Sequence, residues 1–174
     1  MAGSIYNIAE WSSLATYAKH FVVKNNNSYY YSLQDHVASA SFSADLGSGL
    51  WGGYITDSNG ESKPSFLWTP SISSEIAANP RVKTISFGDG YSQRTKDGIN
   101  NNLLSLQLSF DGRTLIEAKA ILHFLYTREG VESFLWTPPE PFNKQKRFIC
   151  KEFPMSTSFF GAYNIRCTFE EVVS

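Results

Sequence analysis

Leu104-Ser105-Leu106-Gln107-Leu108-Ser109-Phe110 is the stretch that decides the fold class of this chain. Its apolar residues alternate strictly with polar ones, and a period of two is typical of a β-strand with one buried face and one wet face. The same alternation recurs near the carboxyl end at Ile165, Cys167 and Phe169. Aromatic residues make up 15% of the chain, and such side chains suit a pleated, half-buried surface. The chain is therefore predicted to be mainly β.

The two cysteines also belong to predicted strands. Cys150 shares a looser alternation with Phe148, and Cys167 lies beside Phe169. Two cysteines are too few for a disulfide scaffold, and their spacing matches no zinc motif. Both are therefore predicted to be buried structural thiols rather than redox groups.

One helix is predicted between the strands. Thr114-Leu115-Ile116-Glu117 has the form of a capping box, in which the threonine hydroxyl and the glutamate carboxylate satisfy unpaired backbone N–H groups. Arg128 and Gly130 stand where such a helix should end. His123 is expected beside the apolar stripe, as a surface or boundary residue. The stripe, which is expected to cover a sheet, consists of Ile116, Ala120, Ile121, Phe124 and Leu125.

The domain organisation follows from residues 57–64, Asp-Ser-Asn-Gly-Glu-Ser-Lys-Pro, which are turn formers with nothing apolar to bury. They predict a small aromatic β module over 1–56, a linker over 57–64 and a larger domain over 65–174. Residues 1–75 hold three lysines against six acidic residues, a net of −3, and 76–174 hold 12 basic against 10 acidic residues, a net of +2. This mild asymmetry agrees with the boundary. Residues 71–80 are predicted to be a second flexible stretch.

A six-residue segment occurs twice. Ser65-Phe66-Leu67-Trp68-Thr69-Pro70 recurs as Ser133-Phe134-Leu135-Trp136-Thr137-Pro138, 68 residues later. Each copy reads as a short apolar strand that proline ends, because proline cannot donate the next ladder hydrogen bond. The two copies are expected to form equivalent edges of one sheet or matching contact surfaces.

Gly88-Asp89-Gly90 lies between the two copies and invites a comparison with phosphate-binding loops. No Gly-Lys-Ser/Thr follows it, and no predicted helix begins directly after it. A tight turn between two strands is the prediction.

A longer order of motifs is more specific than any single one. It consists of Arg81-Val82, Phe87-Gly88-Asp89-Gly90-Tyr91-Ser92-Gln93-Arg94, Asp97-Gly98-Ile99-Asn100-Asn101-Asn102, the helix, Gly130-Val131-Glu132-Ser133-Phe134-Leu135-Trp136-Thr137-Pro138-Pro139 and Phe169-Glu170-Glu171-Val172-Val173. This order covers about residues 64–173 and resembles the phage minor tail protein family of the lambda protein M type.

The resemblance implies a fold and a place in a virion. Members of this distal tail protein class are tube-like β-sandwiches or barrels that form a hexameric ring at the tip of a long, non-contractile phage tail. The expected partners are other copies of the chain, the tail tube protein, the hub and central fibre proteins, and the tape measure protein. The protein would be made in the host cytoplasm. The resemblance brings no catalytic residues and no cofactor.

The N-terminal module carries its own candidate site. Phe21-Val22-Val23, a polar turn and Tyr29-Tyr30-Tyr31 predict a β-hairpin, and the aromatic pattern resembles small carbohydrate-binding modules of the chitin-binding type. Those modules have adjacent exposed tryptophans after the tyrosine strand, whereas this chain has Ser32-Leu33-Gln34-Asp35-His36. Two roles stay open, which are binding a host surface glycan and a structural or partner-docking role. The candidate residues are Trp11, Tyr17, Tyr29, Tyr30, Tyr31 and Trp51.

Other classes of function are disfavoured by charge and by residue placement. A net charge of −1 offers no basic excess for binding a polyanion. No apolar run is long enough to cross a bilayer. Asp35-His36 is accompanied by no nucleophile motif, and Glu170 and Glu171 point to opposite faces of a strand, so they cannot act as a paired acid and base. An enzyme is therefore not expected.

Overall fold

Two aromatic cores, one small and one large, organise the chain. The computed structural model describes residues 7–53, 64–71, 75–78, 80–87, 90–98 and 102–173. Most of the predicted linker therefore lies outside the described residues, and the division into domains stays a prediction. In chain order, the N-terminal module contains β1 Thr16–Tyr17, β2 Val22–Asn25, β3 Ser28–Ser32, β4 His36–Val37, α1 Phe42–Gly47 and β5 Trp51–Gly53.

The predicted N-terminal hairpin is confirmed. β2 and β3 pair in antiparallel fashion from Val22–Tyr31 to Asn25–Ser28. The two residues between them, Asn26 and Asn27, have φ of 47° and 66°. A two-residue hairpin turn of type I′ needs positive φ at both positions, and asparagine tolerates this conformation better than most residues. β5 extends this sheet on the β3 side, and β1 pairs with β4 separately.

The second part of the chain is dominated by one antiparallel sheet. The elements are β6 Glu75–Ala78, β7 Val82–Ser86, β8 Ser92–Lys96, β9 Leu104–Arg113, α2 Leu115–Thr127, β10 Phe134–Trp136, β11 Lys146–Cys150, β12 Met155–Phe159 and β13 Ala162–Glu171. The strand order of the sheet is β10-β11-β13-β9-β6, and β12 pairs with β13. β7 and β8 form a separate two-stranded hairpin.

The mainly-β prediction is confirmed, with two differences in detail. In the described part of the chain no sheet closes into a barrel, and there are two helices instead of one. The helix that was missed, α1, has six residues and is too short to show a helical period. The flexible stretch predicted over 71–80 is wrong for Glu75–Ala78, which forms an edge strand paired with β9. An edge strand of four residues carries too little pattern to be read from sequence.

The predicted helix is confirmed, and its cap differs in one bond. The backbone N–H of Glu117 donates to the Thr114 hydroxyl at 3.3 Å, as a capping box requires. The Glu117 carboxylate instead accepts from Arg113 Nη1 at 2.7 Å. This charged neighbour makes a stronger hydrogen bond than a backbone N–H would. The helix ends at Thr127, and Gly130 follows with φ of 70°.

The two copies of the repeated segment lie side by side and run in the same direction. The Phe66 N–H donates to the Leu135 carbonyl at 2.8 Å, and the Leu135 N–H donates to the Pro64 carbonyl at 2.9 Å. Ser65 therefore stands opposite Leu135 in a parallel bridge at the edge of the sheet. The copies therefore do not form equivalent edges of the sheet, as the sequence suggested, because the first copy lies beside the second, which is the edge strand β10. The same alternation in both copies sends both phenylalanines and both tryptophans inward.

Phe66 lies at the centre of the large core. Its ring is 4.9 to 5.9 Å from five other aromatic rings, mostly in edge-to-face or tilted arrangements that suit aromatic quadrupoles. These rings come from both copies of the segment, from β9, from β13 and from α2. The five neighbours are Trp68, Phe110, Phe124, Phe134 and Phe169.

We expect Phe66→Ala to lower the free energy of unfolding by about 3–5 kcal/mol, because it leaves a cavity among five rings. Phe159→Ala is the matched control, since Phe159 is 71% exposed whereas Phe66 is 2% exposed. The control should change stability by less than about 0.5 kcal/mol. Chemical denaturation of both variants measures the difference, and equal losses would contradict the central place of Phe66.

Candidate assembly and docking surfaces

The two faces of the hairpin β2–β3 contact different parts of the molecule. Successive residues of a strand point to opposite sides, so Tyr29 and Tyr31 share one face and Tyr30 lies on the other. Tyr31 packs 5.5 Å from Trp68, and Tyr29 meets His123 edge-on at 4.6 Å. Val22, opposite Tyr31, joins the same large core. One face of the hairpin therefore docks the module onto the repeated segment and α2.

The other face of the hairpin covers the small core of the module. Tyr30 packs against Phe42 at 4.8 Å, and Trp11 packs against the same ring at 5.5 Å. Tyr17 and Trp51 are buried at the centre, 5.0 Å apart in an edge-on arrangement. These rings replace the larger aliphatic core that a segment of this length cannot build.

The six residues predicted as a glycan or partner site thus fall into two groups. Tyr29 and Tyr31 contact the larger domain, while Trp11, Tyr17, Tyr30 and Trp51 surround the small core. Tyr17, Tyr31 and Trp51 are buried, so their ring faces are not open to a sugar. The six do not form one flat exposed surface. The alternation within the three consecutive tyrosines was the sequence signal for this split.

A glycine fixes how closely β5 approaches the docking tyrosine. Gly52 is paired with Tyr31, and a Cβ on Gly52 would come within 2.7 Å of the Tyr31 ring. Real Cβ atoms do not approach so closely, and the buried Tyr31 ring has little room to move because it also packs against Trp68. A side chain at Gly52 would therefore disturb the packing of Tyr31.

We expect Gly52→Ala to destabilise the protein by about 1–3 kcal/mol, the usual cost of overpacking a filled site. Gly53→Ala is the control, because its Cβ would meet Tyr30 at an ordinary 3.5 Å. Thermal denaturation of both variants, with near-ultraviolet circular dichroism of the tyrosine band, measures the effect. A loss in Gly53→Ala as large as that in Gly52→Ala would show that the Tyr31 contact is not the cause.

His123 is not the boundary residue that the sequence suggested. It is buried on α2, where Tyr29 of the module covers it. The sequence alone could not show that Tyr29 of the N-terminal module packs over the helix at this position. Burial, and to a smaller degree the Lys119 cation, lowers the pKa of His123 from 6.5 to about 4. Burial is also the main cause that lowers the pKa of His20, which packs beside Trp68.

These pKa values predict that stability falls in acid. The unfolded chain takes up a proton at His123 near pH 6.5, whereas the folded chain does so only near pH 4. The stabilisation is therefore fully present above pH 6.5 and is lost as the pH falls through this window, by at most about 3 kcal/mol. His123→Gln should reduce this slope, and adding His20→Gln should reduce it further. Urea denaturation at several pH values measures it, and an unchanged slope in His123→Gln would contradict the assignment.

Both cysteines are buried and free, as predicted. Cys150 donates to the Glu152 carbonyl at 3.3 Å. A hydrogen bond with Cys150 and burial both raise the pKa of the Cys167 thiol. A thiol with a raised pKa carries little reactive thiolate, which agrees with a structural role.

The described residues hold no group of three or more His, Cys, Asp or Glu that could bind a metal ion. Within the same residues, no helix has both the length and the apolar character needed to span a membrane. The exposed surfaces of the described residues include the sheet edge at the two identical segments and the hairpin of β7 and β8.

These features define the class of the protein, a mainly-β chain in which a helix covers one face of an antiparallel sheet and an aromatic module is added to it. The chain belongs to the family described as "Phage minor tail protein", whose sequence profile matches residues 64–173. The predicted family is thereby confirmed, and it is a family of structural proteins of phage tails. The carbohydrate-binding resemblance of the N-terminal module stays a prediction.

Two relatives and one solved structure agree with this membership. Tail tip protein M of Escherichia phage lambda is 35% identical over 112 residues, which are 63% of this chain and 98% of that protein. Tail tip protein M of Escherichia phage N15 is 32% identical over 77 residues, 43% of this chain and 65% of that protein. A chain in the virion of a native gene transfer agent particle shares the fold with a TM-score of 0.50 and 17% identity, over 63% of this chain and 96% of that chain.

Proposed function

We propose that this chain is a structural subunit of the tail tip of a long-tailed, non-contractile phage. It forms a ring that joins the tail tube to the hub and central fibre. The observation that carries the proposal is the match to lambda tail tip protein M over 98% of that protein's length. A relative matched along its whole length supports a shared place in the tail more strongly than one shared motif would.

The partners follow from that position. Copies of this chain contact one another in a closed ring, in which one patch of each copy meets a different patch of its neighbour, as head-to-tail contacts require. The tail tube protein lies on one side of the ring, and the hub, central fibre and tape measure proteins lie on the other. The chain acts by binding and spacing these partners, not by catalysis.

The N-terminal module has a structural role in this proposal. The contacts of Tyr31 with Trp68 and of Tyr29 with His123 support it, because they use the aromatic side chains within the molecule. Binding of a host glycan is the alternative. A glycan array distinguishes the two, and binding that is lost in Tyr30→Ala or Trp11→Ala would favour the glycan role.

We expect six copies of the 19.5 kDa chain to assemble into a particle of about 117 kDa. Native mass spectrometry of the purified protein, and electron microscopy of phage particles carrying a tagged copy, measure the assembly and its location. A tag found along the whole tail tube, or absent from the virion, would overturn the proposed function. A ring of another size would change only the copy number.

A further inference from the structure

The hairpin of β7 and β8, here called the arm (residues 81–97), buries none of its described residues. Every described residue from 80 to 98 is exposed. The strands pair only with each other, from Val82–Lys96 to Ser86–Ser92. An isolated two-stranded hairpin is at best marginally stable in water, so an arm of this kind needs a surface to lie on.

The arm is also basic and partly apolar. It carries four cations against Asp89 and Asp97, a net charge of +2. None of the four forms an ion pair with a described residue. Ile85, Phe87 and Tyr91 are 41%, 50% and 70% exposed near its tip. The four cations are Arg81, Lys83, Arg94 and Lys96.

A groove of opposite charge lies on the face of the main sheet that α2 leaves open. Its volume is about 370 Å³, and it crosses β6, β9 and β13. Glu75, Asp111 and Glu152 line it against one cation, Arg166, for a net charge of −2. Glu75 and Glu152 form no ion pair with any residue that the structure describes.

The arm and the groove occupy different places along the sheet. The arm is inserted between β6 and β9, beyond the point where Ala78 pairs with Leu104. The groove runs from Gln107 to Asp111, towards the other end of β9. Because the arm and the groove lie at separate positions, the arm of one copy can meet the groove of a second copy.

We propose that the arm of one copy docks into the acidic groove of a neighbouring copy. Arg94 and Lys96, which share one face of the arm, meet Glu75 and Glu152 of the neighbour, and the contact gives the arm the support it lacks. The inference deepens the proposed function, since it identifies the contact that would hold neighbouring copies together. Charge complementarity sets the register of such a contact and suppresses wrong pairings.

Charge reversal tests the proposal in the full-length protein. Arg94→Glu with Lys96→Glu, and separately Glu75→Lys with Glu152→Lys, should each weaken self-association by about tenfold or more at low salt. A mixture of the two double variants should recover mixed assemblies, because the reversed arm then meets a reversed groove. Lys119→Glu with Lys144→Glu is the control, with the same change of charge on exposed lysines elsewhere. Light scattering measures the association.

Cross-linking identifies the contact directly. A carbodiimide joins lysine to carboxylate without a spacer, and equal parts of light and ¹⁵N-labelled chain separate links between copies from links within one. We expect Lys96 to be joined to Glu75 or Glu152 of another copy. Links only within a copy, a chain that stays monomeric at every concentration, or equal weakening in the control would overturn the inference. So would self-association that is unchanged in the variant with Arg94→Glu and Lys96→Glu.

The result is separable from the proposed function. A tagged chain located at the tail tip, whose arm is cross-linked only to the tube protein, would overturn the arm-to-groove contact and leave the proposed function standing. Reciprocal exchange of arms in a dimer would support the contact and contradict the hexameric ring.

Discussion

The parallel pairing of the two identical segments, with Phe66 at its centre, is the contact on which the rest of the fold depends. Two backbone hydrogen bonds fix the first copy beside β10. The alternation of the segment then turns Phe66 and Trp68 into the interior, next to the rings of the second copy and of α2. Sheet, helix and both copies thus share one set of aromatic contacts, and none of these elements can move without disturbing the others.

Aromatic contacts also attach the N-terminal module to this centre. Trp68 packs against Phe66 and also against Tyr31 of the module. With the contact between Tyr29 and His123, this buried tryptophan connects the small sheet to the large core. Successive residues of β3 point to opposite sides, so its other face covers the module's own core. The short hairpin therefore contributes side chains to both cores.

Sequence reasoning succeeded where a pattern was local and regular. The alternation of Leu104 to Phe110, the cap at Thr114 and the asparagine turn each follow from a few neighbouring residues, and each was confirmed. The family was predictable because its motifs keep their order over more than a hundred residues. The short elements α1 and β6 were missed, since they are held by tertiary pairing and have no period of their own.

The candidate site was harder to predict because its residues are aromatic, and aromatic side chains serve cores and binding surfaces equally well. Composition pointed to six rings as a candidate site, but only the fold shows that Tyr31 packs against Trp68 and that Tyr17 is buried. His123 was misplaced for the same reason. The apolar stripe of a helix predicts only the face that packs against the sheet. Tyr29 of the module covers α2 at His123, and the helical period gives no sign of this contact.

The arm differs from all of these elements because its described residues are all exposed and its strands pair only with each other. Folded domains normally bury one face of each strand, yet β7 and β8 bury neither. In a protein that stays monomeric, the exposed apolar side chains and strand edges of such a hairpin would favour aggregation. In an assembly, neighbouring copies can cover them. The monomer is then an incomplete unit, and part of its stability belongs to the assembly.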